Sequence, residues 1–306
     1  MPLHPFIATL LETLKGLPAL SHGSPDDARA FIAAGRARLG KGPDLPRVED
    51  INLPGRSGVI KARVLMPCDA PDGVIVFIHG GGWVVGALDD YDTYVRTLAQ
   101  RSGLAVVAVD YRLAPEHPYP AGLEDCEDAL AAVIAGTVPG LPRGPVVVMG
   151  DSAGGNLATV CCARLPDRAS VALQVLYYPV TDHDFTRRSY SQHGTGLPLT
   201  AADMKWFFAH YAPPGRWPDP EISPLRNADL SGHPPAIIVT AEYDVLCDEG
   251  AAYADRLAQA GVGVTHRQVD GVTHGFIRLH PLFEVADAEL TEIATDIRRK
   301  IGVFTD

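Results

Sequence analysis

The run Val146-Val147-Val148-Met149-Gly150-Asp151-Ser152-Ala153-Gly154-Gly155-Asn156 constrains this chain more than any other. An apolar stretch stops abruptly at Gly-Asp-Ser-Ala-Gly, and a helical pattern begins at once. The order is strand, sharp turn, helix, with a serine at the turn. A serine in that place is held in a strained backbone so that its hydroxyl stands clear of the sheet edge. Gly150 and Gly154 remove side chains where strand and helix would collide. The first free N–H groups of the helix then face any negative charge that develops beside Ser152. Taken alone, such a turn is as compatible with a chance small-residue bend as with a nucleophile.

The rest of the chain supplies the context. Val74 to Ile78 is apolar at every position, as in a strand buried on both faces, and leads into His79-Gly80-Gly81-Gly82-Trp83. Three successive glycines are costly in chain entropy and point to backbone N–H groups approaching a ligand closely. Leu104 to Val109, Val171 to Tyr177, Ala236 to Thr240 and Val262 to Val269 read as further strands, with helices at about 91–99, 122–135, 153–165, up to 260, and 283–301. Strand and helix alternate, which predicts an α/β fold with a mostly parallel sheet covered by helices on both faces. Val48 to Leu53 and Val59 to Met66 predict a hairpin around Pro-Gly-Arg-Ser-Gly.

Two segments leave this pattern. Residues 1–45 read as helical pieces, one of them starting at the Ser24 cap with Pro25, and precede the sheet. They form a cap segment or an extra helix pair on the core. Residues 46–306 form the core, interrupted at about 182–223 by an insertion with one helix near 200–211 and the aromatics Trp206, Phe207, Phe208, Tyr211 and Trp217. Those rings are expected to pack mainly on one another.

The 306 residues suffice for one large domain or two of about 150 residues. The net charge of -11 argues against nucleic acid and anionic membrane as partners. Five cysteines lack metal or disulfide-framework spacing, so reduced thiols and a cytoplasmic location are the expectation. Phe6 to Leu14 reads as a short amphipathic helix, and Glu12 breaks its apolar run, which speaks against a leader peptide.

Ser152, Asp244 and His274 each follow a buried strand, at the edge where open α/β sheets hold their sites. A serine hydroxyl needs a base. His274 would take its proton and later return it to the leaving group, while Asp244 would hold the imidazole. The N–H groups of Ala153, Gly81 and Gly82 are the candidate oxyanion donors. Asp248 reads as a helix cap, Asp270 lies too near His274 in the same loop to be the first choice of acid, and His266, His280 and His117 read as structural. Asp110, Arg112 and Glu116 read as a polar network bracing a proline-rich loop.

Five motifs in order cover essentially the whole chain: His79-Gly80-Gly81-Gly82-Trp83, Asp110-Tyr111-Arg112-Leu113-Ala114-Pro115-Glu116, Gly150-Asp151-Ser152-Ala153-Gly154-Gly155, Asp244-x-Leu-x-Asp248-Glu249-Gly250, and His274-Gly275-Phe276. They resemble the hormone-sensitive-lipase-like (bacterial family IV) carboxylesterases. The order Ser, acid, His agrees with that resemblance. It implies an eight-stranded α/β-hydrolase fold with a helical cap, and no metal or cofactor. It also implies a serine carboxylesterase acting on small-molecule esters of short-to-medium acyl chains, and a homodimer. An amidase or lactonase on the same three residues remains open. So does a non-catalytic ligand-binding homologue, against which the intact Ser152, Asp244 and His274 speak.

Overall fold

A computed structural model describes residues 2–303 of the chain. Residue 1 of the expected 1–45 segment and residues 304–306 of the expected core lie outside the described residues. The centre is one eight-stranded sheet in the order β1-β2-β4-β3-β5-β6-β7-β8. The strands are β1 (Arg47–Gly55), β2 (Gly58–Met66), β3 (Val74–Ile78), β4 (Ala105–Asp110), β5 (Val146–Asp151), β6 (Leu173–Tyr177), β7 (Ala236–Tyr243) and β8 (Val264–Thr273). Only β2 runs against its neighbours β1 and β4. The pairs from β4 through β8 are parallel. Parallel pairing puts the ends of β3, β5, β7 and β8 on one edge, so the residues that follow these strands meet there.

The helices are α1 (Pro5–Leu14), α2 (Pro25–Ala34), α3 (Arg36–Leu39), α4 (Leu88–Ser102), α5 (Ala121–Ile134), α6 (Ala153–Arg164), α7 (Arg188–His193), α8 (Ala201–Tyr211), α9 (Cys247–Gln259) and α10 (Glu284–Lys300). Alternate residues of the central strands feed two separate cores. Val74, Val76 and Ile78 of β3 pack with apolar residues of α5, α6, α8 and α9. Ile75 and Phe77 pack with those of α1, α4 and α10. This two-sided burial explains why the strands read as unbroken apolar runs rather than alternating ones.

The hairpin is tighter than the sequence suggests. β1 continues through Pro54 and Gly55, which pair with Val59 and Gly58. Pro54 is tolerated because β1 is the edge strand, where a missing N–H costs no inner ladder bond. β7 and β8 also extend beyond their apolar runs, and Tyr243 pairs with Thr273 after an irregularity. The polar residues there are carried by the ladder and by the Gly271 N–H, which donates to Glu242 Oε2 at 2.7 Å.

The insertion holds two helices rather than one. α7 has six residues, too few to show a periodicity. The Ser189 N–H donates to Asp248 Oδ2 at 2.8 Å and the Ser189 hydroxyl to the Val245 carbonyl at 2.6 Å. Asp248 is therefore not the cap of α9. That position belongs to Leu246, and Asp248 lies in the first turn, serving α7 instead. The expected Asp110–Arg112–Glu116 network does not form as one unit. Arg112 pairs with Asp125, and Glu116 takes a two-pronged contact from Arg29 of α2, at 2.7 and 2.6 Å.

The N-terminal segment divides. α1 lies against the core: Ile7 is buried, the His4 N–H donates to the Gly271 carbonyl, and Phe6 stacks on Phe283. The stretch from Leu20 through α2 turns toward α8, and the Ser21 N–H donates to Asp203 Oδ1 at 2.8 Å. α2 and α8 both begin with reciprocal capping boxes, Ser24 with Asp27 and Thr200 with Asp203.

Candidate active site

Ser152 lies between β5 and α6 with φ 54° and ψ -120°, a conformation rarely adopted by a residue with a side chain. The turn can be this sharp because Gly154 has no Cβ. One added there would sit 2.0 Å from the Ile78 carbonyl oxygen. Asp244 follows β7 directly and His274 follows β8 directly.

The three side chains lie in line. His274 Nε2 is 3.0 Å from Ser152 Oγ, and His274 Nδ1 is 2.7 Å from Asp244 Oδ2. The carboxylate accepts the Nδ1 proton, which leaves the Nε2 lone pair facing the hydroxyl. Asp244 is buried, and its other oxygen accepts the Leu246 N–H at 3.0 Å, so the carboxylate cannot turn away. The Tyr178 ring, 4.5 Å from the imidazole between centroids, backs it on one side.

The glycine loop after β3 is fixed from behind. Burial pushes the His79 imidazole down to about 4, so it stays neutral, and its Nδ1–H donates to the Gly80 carbonyl at 2.7 Å. The Tyr111 hydroxyl donates to the His79 carbonyl at 2.9 Å. The Gly80 N–H donates to Asp151 Oδ1 at 2.8 Å, and the Tyr91 hydroxyl donates to Asp151 Oδ2 at 3.1 Å. Gly80 therefore anchors the loop and has no N–H left for a ligand. Among the described residues, no protein acceptor takes the N–H of Gly81, Gly82 or Ala153. Gly82 has φ 58°, and a Cβ there would sit 2.2 Å from the Phe207 ring. Trp83 stacks on Tyr211 at 4.3 Å, which ties this loop to α8.

These groups wall one cavity of 190 Å³. Ser152, His274 and the glycines form its floor side, and Leu20, Ile32, Leu199, Met204 and Phe207 come from the two segments outside the sheet pattern. The insertion's rings do pack on each other, with Phe208 meeting Phe185 and Trp217. Phe207 is the ring that also faces the cavity.

The competing residues lie elsewhere. His266 is within β8, with its Nε2 3.2 Å from Thr240 Oγ1. His280 is buried with its Nε2 3.0 Å from Thr97 Oγ1, and burial pushes it down to about 4. Asp270 lies within β8 and accepts from the Gln268 amide. Two contributors were not singled out by sequence reasoning. Asp151 positions the loop, and its only signal was an acid beside the serine. Arg278 lines the cavity, and its signal was a lone cation in the apolar Phe276–Leu279 turn. Among the described residues no cluster of three or more His, Cys, Asp or Glu could hold a metal, and no helix is long and apolar enough to cross a membrane.

A parallel sheet whose C-terminal edge lines up a strained serine, an imidazole and a buried carboxylate defines the serine-hydrolase class. The family model described as the alpha/beta hydrolase fold matches residues 75–278, and the chain belongs to this family, in its hormone-sensitive-lipase-like branch. It is 35% identical to an ethyl acetate hydrolase of Pseudomonas putida, across 98% of this chain and 100% of that one. It is 40% identical to the carboxylesterase NlhH of Mycobacterium tuberculosis, across 85% of this chain and 86% of that one. A solved structure of a hyperthermophilic esterase from the archaeon Pyrobaculum calidifontis superposes with a TM-score of 0.93 at 38% identity, covering 99% of this chain and 100% of that one.

Proposed function

We propose that this protein is a serine carboxylic ester hydrolase for small esters with short-to-medium acyl chains, with Ser152 as nucleophile, His274 as base and Asp244 as its orienting partner. The observation that carries this reading is the continuous Ser152–His274–Asp244 contact, at 3.0 and 2.7 Å, beside three N–H groups without a protein acceptor. His274 Nε2 removes the hydroxyl proton as Ser152 Oγ bonds to the ester carbonyl carbon. The carbonyl oxygen takes up the negative charge, and the N–H groups of Gly81, Gly82 and Ala153 receive it. When the tetrahedral centre collapses, the alcohol departs with the proton from His274. Water repeats the sequence on the acyl-serine, releasing the acid and restoring the serine.

Residues 1–45 and 182–223 serve as the cap in this reading, supported by the contributions of Leu20, Ile32, Met204 and Phe207 to the cavity wall. A cavity of 190 Å³ favours short acyl chains over long ones. The experiment is steady-state hydrolysis of p-nitrophenyl esters from acetate to palmitate by the wild type and Ser152→Ala. Turnover should peak at the short or medium chains, and the variant should lose about 10⁶-fold in kcat while keeping its circular dichroism spectrum. Turnover of amides with no turnover of esters, or an active variant, would overturn the assignment.

A further inference from the structure

Arg278 is a cation with little reason to be where it is, unless something anionic comes to it. It stands in the short turn after His274 and lines the cavity that Ser152 opens into. Its guanidinium carbon lies 4.4 Å from the centre of the Tyr91 ring, so one face of the guanidinium is covered by aromatic surface. Nη2 donates to the Asp90 carbonyl at 2.9 Å. That is its one hydrogen bond to the described residues: Nε is buried without an acceptor, and Nη1 has none. A guanidinium carries five N–H donors, so most of its capacity faces no protein oxygen.

The nearby acids do not use that capacity. The Asp90 carboxylate accepts from Arg36 Nε at 2.6 Å. Asp151 holds the Gly80 N–H and the Tyr91 hydroxyl. Both attract Arg278 through space, and neither forms an ion pair with it. Every side chain that the two outer segments contribute to this cavity is apolar: Leu20, Ile32, Leu199, Met204 and Phe207, with Pro198. A cavity built only for a hydrocarbon chain would have no use for a half-buried cation, whose partial removal from water is costly. The planar fork of an arginine instead matches a carboxylate, which can take two parallel N–H···O bonds.

We propose that Arg278 is a specificity residue that receives a carboxylate carried by the substrate, so that the preferred esters are short and bear a free carboxylate on the acyl or the alcohol part, as in a half-ester of a small dicarboxylic acid. This rests on the esterase reading above and refines its substrate class. Chain-length series made only of alkyl esters would miss such a preference.

The experiment compares kcat/KM within two matched pairs, each differing by a carboxylate against an isopropyl group of similar shape. Monoethyl succinate is set against ethyl 4-methylpentanoate, and 3-acetoxypropanoate against 3-methylbutyl acetate. In the wild type at least one pair should favour the carboxylate by tenfold or more. Arg278→Met should bring that ratio below one, and Arg278→Lys should leave it in between. Because Arg278 also ties its turn to Asp90, the methionine variant is at risk of not folding. Inhibition of the wild type by free succinate, competitive with a neutral ester, is then the deciding measurement. A neutral preference in both wild-type pairs, or a carboxylate preference that survives in Arg278→Met, overturns the proposal, as does the absence of succinate inhibition. Turnover of neutral esters without carboxylate preference leaves the esterase reading standing and removes this one. No ester turnover, together with calorimetric binding of monoethyl succinate that Arg278→Lys weakens at least tenfold, does the reverse.

Discussion

Ser152, Asp244 and His274 each begin where a strand of the sheet ends, whereas Leu20, Ile32, Met204 and Phe207 wall the same cavity from segments outside the sheet. The first set is over-determined. Asp244 is buried and held by both His274 and the Leu246 N–H, and the loop carrying Gly81 and Gly82 is pinned by Asp151, Tyr91 and Tyr111. The second set is held by apolar packing and by polar contacts nearer the surface, such as Arg29 with Glu116. Interactions of that exposed kind contribute little each, about 1 kcal/mol or less. Ser152, Asp244 and His274 thus sit on a floor braced by buried hydrogen bonds, while the roof over them is carried mainly by packing.

The largest effect that would sharpen this contrast comes from the floor. Asp244→Asn keeps the shape of the side chain but no longer demands the Nδ1 proton, so the imidazole loses its tautomer. A fall in kcat of about 10⁴-fold, with melting temperature little changed, is the expected result. Activity within tenfold of wild type would show that another acid serves His274.

The next tests where floor and roof touch. Gly82→Ala places a methyl group against the Phe207 ring at a φ that disfavours any side chain. Its kcat should fall by about 10²- to 10³-fold, the loss typical of one oxyanion donor. Adding Phe207→Ala removes the collision but not the backbone strain. Substantial recovery in the double variant would mean that the roof ring, rather than the loop conformation, sets the rate.

The smallest effect concerns stability. Burial pushes His79, His233 and His280 down to about 4. An unfolded histidine takes up its proton near 6.5. Below that pH the unfolded state binds more protons, so the stability these three contribute is lost as the pH falls from 6.5 to 4. Glu249 behaves in the opposite way. Burial pushes it up to about 8 even though its Oε1 accepts the Thr181 and Asp182 N–H groups, which anchor the start of the insertion to α9. Its contribution is complete below 4.5 and is lost as the pH rises to 8. Three histidines outweigh one glutamate until most of their unfolded-state protons are gone, so denaturation midpoints should be highest near pH 7. Above pH 7 the decline should reach only about half of one proton's worth, roughly 0.7 kcal/mol per pH unit, because the histidines still offset part of the Glu249 loss. Glu249→Gln, which keeps the acceptor and cannot ionise, should flatten that alkaline limb. An unchanged limb would assign the decline to other groups.

The strands were legible because burial on both faces demands unbroken apolar runs, and the candidate site residues because each is a reactive group directly after such a run. α7 was not legible, since a six-residue helix is held by Ser189 and its partners on a distant segment rather than by its own pattern. The partners of Glu116 and Asp248 were equally hidden. Each lies 59 or more positions away in the chain, at Arg29 and Ser189, and local charge spacing suggested neighbours instead.

By itself the sequence determined the fold class, the order of strands and helices along the chain, and the residues that end up at the strand termini. These follow from local patterns: hydrophobic runs, glycines at a sharp turn, a reactive side chain at the end of a strand. Only the tertiary structure decided that Gly80 is spent on Asp151, that Phe207 rests on Gly82, and that Arg278 lines the same cavity as Ser152 with donors to spare. Those are relations between residues far apart in the chain, and no periodicity records them. They arise when the outer segments fold over the sheet edge and close a volume that neither could define alone.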